Sequence, residues 1–128
     1  MTTKSYRYYE RGYFDLYDIT YNDTTTFGQG EQTIGKSKLS YNKLTGLGIL
    51  KLDFDFLKSP PLEAGIASLP NEAPTPNYLI EESVNIGEVS FTFWIERGSR
   101  TINIKHISGD FSTVLNRRMI INLSGFWS

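Results

Sequence analysis

Hydrophobic and polar residues alternate through much of this chain with a period of two, the repeat of a strand that buries one face. From Ile49 to Leu57, residues Leu50, Leu52, Phe54 and Phe56 fall on one side and Lys51, Asp53 and Asp55 on the other. That order predicts a half-buried strand with its acids facing water. From Val89 to Glu96, the residues Val89, Phe91, Phe93 and Ile95 point inward, leaving Ser90, Thr92, Trp94 and Glu96 outward. Arg97-Gly98-Ser99-Arg100 then reads as a hairpin turn into a strand with Ile102 and Ile104 on the core side. A further strand runs from Arg118 to Phe126, where Met119, Ile121 and Leu123 alternate with Arg118, Asn122 and Ser124.

The first third is less regular. Tyr13 to Tyr21 mixes its faces, which predicts a bulge or two short strands. Asn22 to Gly30 is polar, rich in threonine and broken by glycine, the composition of an exposed loop. Ile34 to Tyr41 reads as a returning strand before a turn at Asn42 to Gly46. Prolines at Ser59-Pro60-Pro61 and from Pro70 to Pro76 mark stiff connections, with strands at Gly65 to Leu69 and Tyr78 to Ile86 after them. No 3.6-residue apolar period extends over ten residues. Seven to nine short strands punctuated by turns predict one all-β domain over residues 1–128, an antiparallel two-sheet sandwich, with residues 1–12 as a flexible or interface-forming arm.

Composition narrows the function. A length of 128 residues suits one domain with a core of its own. A net charge of −1 with scattered basic residues removes the footprint of a nucleic-acid binder. The absence of cysteine removes disulfides, thiolate nucleophiles and cysteine-based zinc sites. The first ten residues lack the apolar run of a signal peptide, and no stretch approaches the roughly 20 apolar residues of a membrane helix, so the expectation is synthesis in the cytoplasm without membrane insertion.

Little in the chain points to catalysis. Its single histidine, His106, reads either as a packed strand-end residue or as a ligand-contacting imidazole beside Asp110. Asp53 and Asp55, roughly 7 Å apart on one strand face, have the spacing of paired carboxylates but read as solvated surface charge. Gly28-Gln29-Gly30 lacks the setting of a phosphate loop and reads as a turn. Asn22-Asp23-Thr24 and Asn122-Leu123-Ser124 match the glycosylation sequon, a pattern short enough to arise by chance. The expectation is a non-enzymatic protein with no metal or cofactor. What remains is a surface aromatic among planar polar groups. A sugar offers an apolar C–H face and a rim of hydroxyls, which an aromatic plane and hydrogen-bonding side chains can hold together. Trp94, Glu96, Arg100, His106 and Asp110 fall on or near one hairpin and its exit, and form the candidate carbohydrate-binding set. The competing reading makes Trp94 a subunit contact and the charges a solvated rim. Tyr6, Tyr8, Tyr9, Tyr13 and Tyr17 suit either.

The run from Lys38 through Phe54, then Ile66-Ala67-Ser68-Leu69-Pro70 with Pro74-Thr75-Pro76, then a strand, a glycine-centred hairpin and a closing strand ending in an aromatic, resembles a known pattern. It is similar to the C-terminal head domains of receptor-binding and baseplate tail proteins from phages of Gram-positive bacteria, over roughly residues 35 to 127. The resemblance implies a jelly-roll-like sandwich that assembles as a homotrimer in the virion tail, beside other tail or baseplate proteins, and binds host cell-wall saccharide. Binding residues vary widely in such heads, so none carries over by position. Those heads usually follow a long stalk, so this chain also fits a small accessory baseplate or tail protein, or an excised head.

Overall fold

The computed structural model describes residues 13–28 and 37–128; the N-terminal arm, Gln29-Gly30 and the first residues of the returning strand lie outside the described residues. Among the described residues, ten strands form two antiparallel sheets packed face to face. They are β1 (Phe14–Asp18), β2 (Thr20–Tyr21), β3 (Phe27–Gly28), β4 (Lys38–Asn42), β5 (Leu47–Phe56), β6 (Glu63–Ser68), β7 (Ile80–Ile86), β8 (Val89–Ile95), β9 (Thr101–Ser108) and β10 (Arg118–Phe126). The first sheet has the order β1-β4-β5-β10, with β3 added to the end of β5; the second has the order β2-β6-β9-β8-β7. The protein is thus an all-β two-sheet sandwich.

Three antiparallel pairs nest inside one another, β5 with β10, β6 with β9 and β7 with β8. This is the wrapping of one long hairpin rolled upon itself, with the middle and inner pairs sharing the second sheet. The irregular stretch before Tyr21 is two short strands, and they belong to different sheets: β1 pairs with β4 and β2 with β6. The chain crosses between the sheets at Ile19, whose N–H donates to the Ser37 carbonyl.

The inward positions predicted from the alternation make the core. Leu50, Leu52, Phe54, Phe56, Phe91, Phe93, Ile95, Ile102 and Ile104 are all buried. At the centre, Tyr21, Phe27, Phe54, Phe56, Phe91, Phe93 and Phe111 form a chain of ring contacts, mostly edge-on or tilted, at centroid distances of 5.0 to 5.9 Å. Such geometries suit the aromatic quadrupole.

Two expectations need correcting. Over Asn22 to Gly28, the described part of the expected loop, only residues 22–25 are exposed, because Thr26 and Phe27 are buried and β3 pairs with the end of β5. One aromatic in a polar run was enough to draw that backbone into the sheet. Asp53, expected to be solvated beside Asp55, is fully buried. The Arg118 guanidinium closes over it with two parallel hydrogen bonds of 3.0 and 2.8 Å, and Ser37 Oγ accepts from the Asp53 N–H. In turn, the carboxylate holds the Arg118 guanidinium above its ordinary range. Asp53 is a structural charge pair and is not available as one half of a catalytic dyad.

The closing strand is tied at its end. Trp127 is buried, its indole lying against Gly48, where a Cβ would stand 2.4 Å from Trp127 Cδ1. Ser128 and Thr75 exchange two backbone hydrogen bonds of 2.9 Å, which fastens the end of β10 to the proline-rich connection between β6 and β7.

Candidate functional site

Outward positions of β6, β7, β8 and β9 build a shallow groove of about 340 Å³ on the second sheet. Strand register sets the arrangement. Trp94 on β8 stands opposite Glu81 on β7 and Asn103 on β9, while Thr92 stands opposite Lys105, which in turn faces Glu63 on β6. Asn103 faces Gly65 on β6, so no side chain of that strand occupies the Trp94 row. The β7–β8 hairpin has a two-residue turn, Gly87-Glu88, and this fixes which acid meets the indole. Trp94 is half-buried, and its Nε1–H donates to Glu96 Oε1 at 3.1 Å, which holds the ring against rotation. Leu79 and Ile107 form the apolar rim.

Of the five residues proposed from the sequence, Trp94 and Glu96 lie together in this groove and the other three do not line it. Arg100 sits at the β8–β9 turn, where its Nε and Nη2 both donate to the Ala73 carbonyl, at 2.8 and 2.6 Å. Its role there is to pin the proline-rich connection. His106 is on the inner face, opposite Phe91, with its ring edge-on to Phe111 at 4.5 Å. A bulge at Ile107 follows: Phe91 pairs with His106 and Ser90 with Ser108, so Ile107 is the extra residue and is exposed at the groove rim. Asp110 caps the 3₁₀ helix Phe111–Val114, accepting from the Ser112 N–H at 2.9 Å, and this bond lowers its pKa. The preceding Gly109 has φ +90° and lies so close to Glu88 and Val89 that a Cβ would meet the Glu88 carbonyl at 2.4 Å. Asp110 therefore sits by the β7–β8 turn, at the other end of β8 from Trp94.

Glu63, Glu81, Thr92 and Lys105 belong to the groove and were missed. For Lys105 the signal was in the alternation: counting by twos from Ile102 and Ile104 puts His106 inside, and Asn103 and Lys105 outside with Trp94.

A second cleft of about 410 Å³ lies between the sheet edges, lined by β7 and β10 residues including Glu82, Asn85, Ile120 and Asn122. It has no aromatic ring, and so lacks the plane a sugar face would stack on. Among the described residues no group of three or more acidic or histidine side chains is placed to hold a metal ion.

Compared with family models, with curated proteins and with solved structures, the chain matches none. The reading of the site therefore stands on its geometry. A fixed indole plane flanked by carboxylates, a hydroxyl and an ammonium can stack on an apolar ligand face while bonding the polar groups at its rim.

Proposed function

We propose that this chain is a non-enzymatic module of a phage tail or baseplate that binds host cell-surface carbohydrate, with the Trp94 groove as its ligand surface. The observation that carries the carbohydrate part is the half-buried indole held by Glu96 with Glu81 directly across from it. All the lining residues stand on paired strands or at their ends, so the backbone of the site is formed before a ligand arrives and binding has only side chains to order. The tail setting and a homotrimeric assembly rest on the resemblance over residues 35 to 127; a two-sheet sandwich is the fold it implies.

The experiment is binding of the purified protein to intact Gram-positive cells and to their extracted wall polysaccharides. Trp94→Ala is expected to weaken binding about thirty-fold, the effect of removing an aromatic anchor worth about 2 kcal/mol. Unchanged binding by a folded Trp94→Ala protein would overturn the site.

A second reading, a structural virion component, is favoured by the outer face of the first sheet. There Phe14, Leu16, Leu47, Ile49, Ile120 and Phe126 are 40 to 61% exposed. Solution mass and wall binding together separate the two: a purely structural role requires that polar substitutions on that face dissolve an assembly and that no wall polysaccharide binds, whereas the first reading requires binding that Trp94→Ala weakens with the mass unchanged.

A further inference from the structure

We infer that the Trp94 groove selects saccharides bearing a free, protonated amine over their neutral, acylated counterparts, an inference that rests on the carbohydrate reading and names the ligand class within it. The groove holds three carboxylates, Glu63, Glu81 and Glu96, against one ammonium, Lys105, an excess of two negative charges. The whole chain carries a net −1. Charge is thus concentrated at this face.

Among the described residues the carboxylates are also uncommitted to cations. Among the described residues, ion pairs join only Lys43 to Asp15 and Arg118 to Asp53, so none of the three glutamates has a salt-bridge partner. Glu96 accepts the indole N–H, and Glu81 lies on the side of the indole away from Lys105. A neutral sugar would hydrogen-bond these groups but leave the excess charge partly desolvated, at a cost. A ligand ammonium over the indole offsets that charge and adds a cation–π contact, for which tryptophan is the best of the aromatic side chains. Donation of the indole N–H to a carboxylate enriches the ring face in electrons and acts in the same direction.

The test is calorimetric titration with two probes of equal length, a glucosamine hexasaccharide and its fully N-acetylated form, at slightly acidic pH and low salt. The free-amine form is expected to bind about tenfold more tightly, the combined effect of one cation–π contact and one or two exposed charge pairs. Glu81→Gln, an exposed position on an edge strand, should cut that preference to about threefold or less. Glu88→Gln, in the β7–β8 turn at the far end of the strand, should leave it intact. Equal binding of the two probes, or equal losses in the two variants, would overturn the amine preference while leaving carbohydrate binding in place. If neither probe nor wall polysaccharide binds, both readings fall.

Discussion

The two outer faces of the sandwich follow the same alternation rule and carry opposite chemistry. On the second sheet the outward positions are glutamates, a lysine, a threonine and one indole, and the edge strand β7 presents Glu81, Ser83 and Asn85. On the first sheet Leu47 faces Phe126, and Leu16, Ser40, Ile49 and Ser124 run in one row across four strands. Burying an apolar face yields a non-directional gain of roughly 25 cal/mol per Å², which suits a broad protein contact. A polar face with one fixed ring gains from directed bonds and stacking, which suits a small ligand. Inward positions built one shared core; outward positions were free to differ, and function is to be sought in that difference.

Substitutions can break this contrast in order of size. Phe54→Ala removes a ring that touches Tyr21, Phe27, Phe56 and Phe93 and should cost about 3–5 kcal/mol in urea unfolding. Since both sheets rest on that core, ligand binding and any assembly should weaken together on warming; a loss under about 1 kcal/mol would refute the shared core. Arg118→Ala uncovers a buried carboxylate on the first sheet alone. Because the arginine side chain is 50% exposed, water can reach the gap, and the expected loss is about 2 kcal/mol rather than that of a fully enclosed pair, with groove binding unchanged. Ile49→Ser should change monomer stability by no more than about 0.5 kcal/mol, yet lower the solution mass if the apolar face is a contact.

The smallest effect is acidic. Asp23 accepts from the Thr25 N–H and from the hydroxyls of Thr25 and Thr26, which lowers its pKa from 3.8 to about 2. A carboxyl more acidic when folded adds stability that is present above its unfolded pKa, near 4, and is lost as the pH falls through about 2. Asp23→Ala should flatten that part of the stability curve, measured by thermal unfolding between those limits. An unaltered slope would detach the turn from acid sensitivity.

How far the chain could be read depended on the range of the interactions. Strand faces were legible because period two is local: Leu50 to Phe56 and Val89 to Ile95 lie as their alternation requires. The groove was legible only in part. Trp94 stood out as an aromatic on the outward side of a regular alternation, but Arg100, His106 and Asp110 were grouped with it by nearness in sequence, which says nothing about sheet face or sheet end. Lys105 follows from counting along its strand, and Glu81 from the two-residue hairpin. Glu63 needed the β6–β9 pairing, made by residues some forty positions apart with a bulge between Gly65 and Ala67, and no local signal encodes that. The burial of Asp53 was hidden for the same reason, since its cover comes from Arg118 on another strand.

The seating of Trp127 against Gly48 has a practical consequence. The chain has two tryptophans, one enclosed in the core and one half-open in the groove. An indole shut away from water emits at shorter wavelength and resists soluble quenchers, whereas Trp94 should emit to the red and be quenched readily. A single emission spectrum therefore contains two reporters. A ligand occupying the groove shields the red component and leaves the blue one alone, while unfolding shifts the blue component and exposes it, so occupancy and integrity can be followed in one cuvette without a label.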